Sequence, residues 1–441
     1  MSRKLTTDEK YVNLNCHFRF TYFSGLLTKN NVSSVMVKRK YLERTLTTEI
    51  LRISGNDKTL LINGPRQIGK TTLLKHTAEP NRKYVTLDNK TDLVSAMTDP
   101  KGFLETYSPP VIIDEVQYAN ELFSYIKILV DASDERGRIW MTGSQQYNMM
   151  KHITESLAGR VIIIDMLGLS IYEREGIGLK QKPFLPSGNP PSQLKRRNAL
   201  ETFRVIWQGS FPDVVYRDEK SRRDFYDSYV RTYLERDVKQ LLNVGDEITF
   251  LTFLKVAAAR TGQLLNMADI AKDVGISQPT VKNWLSVLQA SGIIYFLQPY
   301  FKNVTKRLIK SPKMYFMDTG LASYLAGWTV PEALESGISS GAFFETFVIG
   351  EIIKSYWHNG EKPNLYFFRD ENNNEIDLLI FKNGKFYPVE IKKHATPGKS
   401  DIGAFKIFEK IEPLGYGCEI CLTQDLQPLS PEATAISVWD I

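Results

Sequence analysis

The sequence has little cysteine, no long apolar run and no strong excess of charge. Its three cysteines, among 441 residues, exclude a disulfide framework and indicate a reducing compartment. No apolar run approaches the ~18–20 residues of a membrane span. The N-terminal residues also lack the apolar segment of a secretory signal. We therefore expect a cytoplasmic protein that makes no membrane contact.

Two of the cysteines, Cys418 and Cys421, have the spacing of half a zinc site. A complete site would need two more ligands, and residues 417–423 have the pattern of a buried strand. We predict that both cysteines belong to a hydrophobic core and that no metal binds there.

The length and composition indicate several ordinary folded domains. At 441 residues the chain exceeds the size at which one hydrophobic core stops growing, so we expect two to four domains. Hydrophobic residues make up 42% and charged residues 24%, which does not suggest long disorder. The net charge of +6 permits a nucleic-acid partner without arguing for one. Residues 1–35 show no clear period, and we expect an N-terminal extension with Met36 as the native start.

A phosphate-binding motif follows the first strong strand pattern. The apolar strand at 60–63 leads into G-x-x-x-x-G-K-[ST] and then into a helix, which is the order the motif requires. Two glycines let backbone amides point at phosphate oxygens, and the helix adds the positive end of its dipole. We predict that Lys70 binds the β- and γ-phosphates of ATP and that Thr71 binds Mg²⁺. The predicted ATP-binding residues of this loop are Gly64, Pro65, Arg66, Gln67, Ile68, Gly69, Lys70, Thr71 and Thr72.

A second apolar strand, at 111–115, ends in two acids. We predict that Asp114 holds the Mg²⁺ shell and that Glu115 orients and polarises the attacking water. A protein that only binds nucleotide needs the first acid alone. The second acid therefore favours an ATP hydrolase.

Two further positions are candidates for catalytic roles. The strand at 138–144 ends in small polar residues, and we predict that Ser144, in preference to Thr142, senses the γ-phosphate; an ordinary strand-end turn is the alternative. Arg160 directly precedes the strand at 161–165. It is either a surface residue or a finger that reaches the γ-phosphate of a neighbouring subunit, and the finger would require a homo-oligomer.

The middle of the chain changes from loop to short helices. Residues 181–245 combine a proline-rich loop with a helical run and predict a helical lid or linker. Residues 246–325 predict a winged helix, because a turn at 275–277 separates two short helices and a strand follows. Ser277 is the expected cap of the second helix.

This winged helix has two possible uses. The second helix offers Lys282 and a few polar residues to double-stranded DNA, and a basic run lies behind the strand. That run consists of Lys302, Lys306, Arg307, Lys310 and Lys313. Winged helices also serve as protein-docking or lid-like modules, which is the alternative.

An Asn-Gly turn at 383–384 joins two strands near the C-terminus. Such a turn fixes the register of the strands, so Asp377 should lie opposite Glu390, and Glu375 opposite Lys392. Two acids held this close repel each other unless a cation lies between them or solvent screens them.

We predict that Mg²⁺ is this cation. Asp377 and Glu390 would bind it together with Glu345 from an upstream helix, and Lys392 would position or activate water. The alternative is a surface hairpin in which Glu375 pairs with Lys392.

In this order the motifs resemble those of the bacterial and archaeal AAA-type ATPases that carry a C-terminal domain of unknown function. The resemblance extends over residues from about 36 to 430. It is carried by residues 64–71, 116–117, 233–237, 310–321 and 344–348. The C-terminal half of such proteins is similar to the PD-(D/E)XK nuclease fold, whose pattern of acid, Asp and Glu-x-Lys matches Glu345, Asp377, Glu390 and Lys392.

The resemblance implies an α/β chain of several domains. It places a P-loop NTPase core, with a parallel sheet and helices on both faces, at 36–180 and a restriction-endonuclease-like α/β domain at 326–441. Our first hypothesis is an Mg²⁺-dependent ATPase that couples hydrolysis to DNA handling. The second is a nucleotide-gated regulatory switch whose C-terminal half docks a protein partner and has no nuclease activity.

Overall fold

The computed structural model describes residues 41–144, 156–190, 193–233, 247–302 and 310–441. The predicted N-terminal extension and its Met36 start lie outside these residues. Within Leu42–Ile441, which form one compact unit, two β-sheets organise the chain. No helix of the described ranges combines the length and the apolar character that a membrane crossing requires.

Five parallel strands form the first sheet. They are β1 (Thr59–Asn63), β2 (Lys83–Thr86), β3 (Val111–Asp114), β4 (Ile139–Gly143) and β5 (Val161–Asp165). Their order is β2-β3-β4-β1-β5, so β1 is flanked by β4 and β5. Because the strands are parallel, their C-terminal residues meet at one edge of the sheet. Asn63, Asp114 and Asp165 lie at this edge.

Helices cover both faces of this sheet. They are α1 (Leu46–Asn56), α2 (Lys70–Thr77), α3 (Lys90–Thr98), α4 (Pro100–Thr106), α5 (Leu122–Asp131) and the short α6 (Ile171–Arg174). On one face, Leu46 of α1 and Leu73 of α2 share a core with Ile62. On the other, Phe123 of α5 shares a separate core with Leu61. Successive residues of β1 thus point to opposite faces, and the predicted parallel sheet covered on both faces is confirmed.

Two helices connect the first sheet to the rest of the chain. They are α7 (Ala199–Gln208) and α8 (Glu219–Tyr233). Asn198 and Glu201 form a capping box that starts α7. Both helices lie within the predicted lid or linker at 181–245, of which residues 191–192 and 234–246 lie outside the described part.

The next segment is a helix–hairpin unit at residues 247–316. It consists of α9 (Glu247–Ala259), β6 (Gln263–Leu264), α10 (Met267–Val274), α11 (Gln278–Ala290), β7 (Ile294–Pro299) and β8 (Lys313–Phe316). Gly275, with a φ of 77°, ends α10 in the left-handed conformation that glycine favours. The side chain of Ser277 accepts the Thr280 amide and caps α11, as predicted. Of the predicted basic run, Lys306 and Arg307 lie outside the described residues.

The C-terminal region adds helices and six further strands. The helices are α12 (Thr319–Leu325), α13 (Pro331–Ser336), α14 (Ser340–Trp357) and α15 (Gly403–Phe408). The strands are β9 (Asn364–Arg369), β10 (Glu375–Lys382), β11 (Lys385–Ile391), β12 (Gly417–Cys421), β13 (Gln427–Ser430) and β14 (Ala433–Ser437). They join the strands of the helix–hairpin unit in a nine-stranded sheet of order β13-β14-β12-β11-β10-β9-β7-β8-β6.

This second sheet crosses the predicted domain boundary at 325. Strand β7 pairs in parallel with β9, with Gln298 opposite Tyr366 and Pro299 opposite Phe367. The helix–hairpin unit and the C-terminal strands therefore share one continuous hydrogen-bonded layer.

The predicted hairpin register is confirmed from Leu378 opposite Val389 to Lys382 opposite Lys385, but this pairing does not include the two predicted pairs, Asp377 with Glu390 and Glu375 with Lys392. The two core cysteines are also where the sequence predicted them. Cys418 and Cys421 are fully buried in two different cores, because strand residues three positions apart point to opposite faces.

Candidate functional site

The phosphate loop leaves β1 and enters α2 through a backbone that favours glycine. Gly64 has a φ of 150°, and a Cβ there would lie 2.2 Å from the carbonyl oxygen of Met166. Gly69 has a φ of 93° directly before α2. Other residues are strained in this region of φ. The local fold thus gives the loop the curled shape that surrounds phosphate oxygens in this motif.

Lys70 is the first residue of α2 and is 5% exposed. Its Nζ donates to the carbonyl oxygens of Gly64 and Pro65, each at 2.8 Å. The ammonium therefore lies over the loop, where phosphate oxygens would accept the same protons in stronger, charge-assisted hydrogen bonds. This position fits the predicted role of Lys70.

The remaining predicted residues of the loop differ in exposure. Pro65 and Ile68 are buried, whereas Gln67 and Thr72 are exposed. Arg66 is half-buried and its guanidinium donates to the hydroxyl of Tyr118 at 3.0 Å.

Asp114 is surrounded by hydroxyl groups. Its Oδ1 accepts from Thr71 Oγ1 at 2.7 Å and from Thr142 Oγ1 at 2.5 Å, and its Oδ2 accepts from the Tyr84 hydroxyl at 3.0 Å. Burial, and then the charge of Asp114, raise the pKa of Tyr84, so the phenol stays a donor. Hydroxyl and carboxylate oxygens are ligands that Mg²⁺ accepts. Thr71 and Asp114, predicted to share one Mg²⁺ shell, lie in direct contact and fit that ion.

Glu115 and Ser144 belong to one hydrogen-bonded group. Ser144 Oγ donates to Glu115 Oε2 at 2.9 Å. Gln117 Nε2 donates to the same carboxylate oxygen, and to Ser144 Oγ at 3.1 Å. Glu115 has a φ of 58°, a left-handed conformation held by a 3.0 Å hydrogen bond from its amide to Thr142 Oγ1. The sequence marks Gln117 only as part of the family resemblance, yet its side chain orients the carboxylate.

Arg160 lies at the opposite edge of the sheet from the phosphate loop. Its carbonyl oxygen accepts from Thr59 Oγ1 at the start of β1, and its Nε and Nη2 bind Asp131 at 2.7 Å and 3.1 Å. The length of β1, about 16 Å for a strand of this size, separates Arg160 from the loop of its own subunit. A contact with nucleotide would therefore have to be made on a neighbouring subunit.

A buried arginine that sequence analysis missed fixes the loop from behind. Arg44 donates to the carbonyl oxygens of Ile68 and Leu167, each at 2.8 Å, and pairs with Glu173 at 3.0 Å. Burial alone would raise the pKa of Glu173, but the charges of Arg44 and His358 hold it well below its ordinary value. Arg44 belongs to no motif, so no local pattern could have indicated it.

A cavity of about 380 Å³ lies beside the phosphate loop. One wall comes from the first sheet, where Asn63 Nδ2 donates to Asp165 at 2.8 Å. The other comes from the C-terminal end of α11 and the turn after it. A Cβ on Gly292 of this turn would lie 3.1 Å from Pro65 Cδ. Residues from both walls line the cavity, among them Asn63, Gly64, Pro65, Ser144, Asp165, Ser286, Gln289 and Gly292. Trp357 at the end of α14 and Lys362 after it also line the cavity.

Helix α14 connects this region to the C-terminal carboxylates. Near its end, Glu351 Oε2 accepts the Ile171 amide at 2.8 Å and Lys354 Nζ donates to the Leu169 carbonyl oxygen at 3.0 Å. Both partners lie on the segment that follows β5. Glu345 lies near the start of the same helix. The rigid length from residue 345 to residue 358 is about 20 Å.

The C-terminal carboxylates surround a lysine of the hairpin. Lys313 of β8 is 5% exposed, and its Nζ lies 2.9 Å from Glu345, 2.6 Å from Glu375 and 3.3 Å from Asp377. Burial alone would lower the pKa of Lys313, but the three carboxylates raise it above its ordinary value. Lys313 therefore does not belong to a solvent-facing basic run. The alternative that pairs Glu375 with Lys392 is also wrong, because Glu375 pairs with Lys313.

The predicted Glu-x-Lys pair lies beside this group. Lys392 Nζ is 2.5 Å from Glu390 Oε1 and 3.8 Å from Asp377 Oδ2, which also accepts the Ile391 amide at 3.0 Å. Burial first, and then the charge of Asp377, raise the pKa of Glu345 to about 7 and that of Glu390 to about 8. We call Lys313, Glu345, Glu375, Asp377, Glu390 and Lys392 the carboxylate cluster.

The structure does bring Glu345, Asp377, Glu390 and Lys392 together, as the nuclease pattern predicts. It does not give them the arrangement of a metal site. The ammonium of Lys313 lies among the carboxylates that would bind Mg²⁺, and a cation of the chain competes with a metal for the same oxygens. The cluster therefore does not fit the metal in this arrangement.

The phosphate loop, the strand order and the paired acids define an AAA-type P-loop ATPase. Residues 56–175 match a family model described as an AAA domain. Residues 200–332 and 340–441 match two further models, each described as a domain of unknown function, DUF8612 and DUF4143.

Two relatives match over most of their own length. An uncharacterized protein of Mycobacterium tuberculosis is 30% identical over 374 residues, which cover 84% of this chain and 77% of that protein. An uncharacterized protein of Methanocaldococcus jannaschii is 22% identical over 392 residues, which cover 84% of this chain and 82% of that protein. The chain belongs to the family of the mycobacterial protein.

Solved structures of low identity are also similar. A Walker-type ATPase of Pyrococcus abyssi matches with a TM-score of 0.42 and 15% identity, over 64% of this chain and 95% of that one. The RuvB Holliday junction branch migration motor of Thermotoga maritima matches with a TM-score of 0.27 and 16% identity, over 60% of this chain and 91% of that one.

Proposed function

We propose that this protein is an Mg²⁺-dependent ATP hydrolase that works as a nucleotide-gated switch. One observation carries the proposal: the cavity beside the phosphate loop is lined jointly by the loop, by Ser144 and by the helix–hairpin unit. A ligand in this cavity would touch both walls. A conformational equilibrium responds to a ligand only through such differential contacts.

The residues of the site divide the chemistry between them. Lys70 binds the terminal phosphates. Thr71 and Asp114 would hold Mg²⁺, which would neutralise negative charge on the phosphates. Glu115 orients the attacking water and accepts its proton. Ser144 and Gln117 hold the Glu115 carboxylate, so a change at the γ-phosphate can alter their hydrogen bonds.

We infer that the helix–hairpin unit is the predicted winged helix and that it acts as the lid of the nucleotide site. Its order of helix, strand, two helices and two strands supports the first part. Ser286 and Gln289 of α11 line the cavity, which supports the second. The face of α11 that would enter a DNA groove in a DNA-binding protein is therefore partly directed at the nucleotide.

Replacing the catalytic acid tests the hydrolase. Glu115→Gln removes the base and keeps the shape of the side chain, so we expect ATP affinity within about threefold of wild type and turnover reduced at least about 100-fold. Calorimetry and a phosphate-release assay measure the two. Glu121→Gln, exposed on the same segment, is the matched control. Unchanged turnover in Glu115→Gln would contradict the assignment.

Hydrogen exchange tests the switch. A non-hydrolysable ATP analogue should slow amide exchange in residues 286–295 of the wild type, because the nucleotide holds the two walls together. Lys70→Ala at the same analogue concentration should show little slowing. If exchange in this segment is equal with and without the analogue, while calorimetry shows binding, the gating proposal is wrong and the hydrolase proposal is untouched.

An oligomeric ATPase follows if Arg160 acts on a neighbouring subunit. We expect Arg160→Ala to bind ATP with wild-type affinity and to lose most of its turnover, since trans-acting arginines stabilise transition-state charge. If turnover is equal in the variant and in wild type at concentrations where the chain self-associates, Arg160 does not act on a neighbouring subunit. It is then only a surface residue that pairs with Asp131.

A second candidate function is contact with double-stranded DNA. Lys282, Lys302 and Lys310 are exposed on or next to the helix–hairpin unit, which favours it. DNA retention on a filter should then fall steeply with salt and should weaken in Lys282→Ala, but not in Lys272→Ala on α10. Retention that is absent at low salt would leave a protein-docking switch as the remaining candidate. DNA cleavage is not part of the proposal, because Lys313 lies among the acids that would bind its metal.

A further inference from the structure

Three metal-ligating side chains meet outside the carboxylate cluster. His394, Asp401 and Glu419 each place one ligand atom within 4.8 Å of the others. They come from three separate places in the C-terminal fold: the segment after β11, the segment before α15, and the middle of β12. Their meeting is therefore a product of the tertiary fold and not of a local sequence pattern.

The three side chains differ in exposure in a way that forms an open pocket. Glu419 lies at the base of the pocket and is fully buried, whereas the side chains of Asp401 and His394 are 23% and 39% exposed. His394 Nε2 lies 2.6 Å from Glu419 Oε1 and 3.7 Å from Asp401 Oδ2. Asp401 Oδ2 is also fixed by the Gly398 amide at 2.9 Å. An ion could enter from the exposed side and keep a water ligand there.

The base of this pocket contains a carboxylate oxygen that lacks a partner. Glu419 Oε2 is buried and accepts no hydrogen bond from the part of the chain that the structure describes. A buried polar atom left without a partner costs free energy, so most are paired in native proteins. A bound cation would satisfy this oxygen together with Oε1.

The charge at this pocket also differs from that of the neighbouring cluster. Glu419 lies opposite Glu390 in the parallel pairing of β12 with β11. Glu390 pairs with Lys392, whereas within the described ranges Glu419 forms an ion pair only with His394. The carboxylates of Asp401 and Glu419 carry two negative charges when both are ionised, which a divalent cation would neutralise.

We propose that His394, Asp401 and Glu419 form a binding site for a divalent transition-metal cation, for which Zn²⁺ is the best match. One imidazole nitrogen and two carboxylate oxygens are ligands that zinc takes, and three protein ligands with an open fourth position are a common zinc arrangement. The ion would displace the hydrogen bond between His394 and Glu419. It would tie the segment from Lys392 to Gly403 to strand β12.

Zinc titration of the full chain tests the site. Chelator-treated, nucleotide-free protein should bind one equivalent of Zn²⁺ in calorimetry, and Co²⁺ should give ligand-field absorption. We expect His394→Ala and Asp401→Asn to weaken binding at least about tenfold. His76→Ala, an exposed histidine on α2, should leave it unchanged. Both changed side chains are partly exposed, so the variants should fold; thermal unfolding checks this.

The outcomes separate three sites. Zinc should raise the unfolding temperature of wild type and not that of His394→Ala. If Asp377→Asn abolishes binding and His394→Ala does not, the ion binds the carboxylate cluster and the proposal is wrong. The proposal is equally wrong if Thr71→Ala alone abolishes binding, or if the wild type takes up no stoichiometric zinc. None of these results bears on ATP hydrolysis.

Discussion

The nucleotide site and the carboxylate cluster both bring acids together, but their acids have different neighbours. Asp114 accepts hydrogen bonds from three hydroxyl groups, those of Thr71, Thr142 and Tyr84. Glu345, Glu375 and Asp377 instead contact the ammonium of one lysine. Neutral donors leave the charge of an acid available to a metal, whereas a buried lysine compensates it. The neighbours of an acid, and not the acid itself, thus distinguish a ligand site from a structural ion cluster.

The largest effect should come from removing the internal cation. Lys313→Met keeps the apolar stem and deletes the charge, so Glu345, Glu375 and the buried Asp377 lose the ammonium that all three contact. We expect a loss of about 3–5 kcal/mol in the free energy of unfolding, measured by denaturant titration. Lys310→Met, three residues earlier and exposed, is the control.

The same variant tests whether the carboxylate cluster can bind a metal, as the nucleotide site is expected to, once Lys313 is removed. If the cluster excludes a metal only because Lys313 is present, Mg²⁺ should restore part of the stability of Lys313→Met and have little effect on the wild type. A variant as stable as wild type without any metal would show that Lys313 does not hold these acids together.

The next effect concerns the nucleotide site. Lys70→Ala removes a charged donor from the phosphates, and hydrogen bonds to charged groups contribute about 1.5–3 kcal/mol. We expect ATP affinity to fall roughly 10- to 100-fold in calorimetry. Thermal unfolding of the nucleotide-free protein measures the separate cost of losing the two hydrogen bonds that Lys70 donates within the loop. Lys90→Ala, exposed on α3, should bind ATP normally. Equal affinities for the two variants would show that the phosphate loop does not bind the nucleotide.

Ser144→Ala should have a smaller effect. The hydroxyl donates one hydrogen bond to Glu115, so its loss should cost about 1 kcal/mol in the transition state and slow turnover roughly fivefold. Affinity for ATP should change little. Ser95→Ala on α3 is the control in the phosphate-release assay. A loss as large as that of Glu115→Gln would mean that Ser144 contacts the reacting groups directly.

The smallest expected effect is the pH dependence of stability that the carboxylate cluster causes. This dependence extends over several pH units. The pKa values of Glu345 and Glu390 rise to about 7 and about 8, above the ordinary value of 4.5 for a glutamate. The folded chain therefore binds these protons more tightly than the unfolded chain. Their contribution to stability is complete below the unfolded value and is lost as the pH rises through the folded values.

We therefore expect the unfolding temperature to fall between about pH 5 and about pH 8 at constant salt. Glu390→Gln should reduce that fall, and Glu432→Gln, an exposed control, should not. The same slope in both variants would place the titrating groups elsewhere.

The local parts of both regions could be predicted from the sequence. Gly64, Lys70 and Thr71 follow one another along the chain, so a short motif carries their chemistry, and a two-residue turn at 383–384 sets the register from Leu378 to Lys382. Motif and turn geometry depend on neighbours in sequence, which a single chain displays directly.

The contacts of Lys313 and Arg44, which sequence analysis missed, join distant segments. Lys313 reaches Glu345 and Asp377 from another strand of the sheet, and Arg44 reaches Leu167 across 123 positions. The sequence groups Lys313 with the basic residues around it, because its own neighbours in sequence carry no sign of its burial. Tertiary packing decides which member of such a run faces water.

The pairing of β7 with β9 has a mechanical consequence. A sheet of nine strands at roughly 4.8 Å spacing extends on the order of 40 Å from β6 to β13. Its hydrogen bonds resist bending within the plane, so a tilt at Gly292, where the turn before β7 approaches Pro65, would be transmitted to the strands beyond β7. Strand β7 lies six strand spacings, about 29 Å, from β13, so a rotation of about 10° at β7 would move that edge of the sheet by about 5 Å.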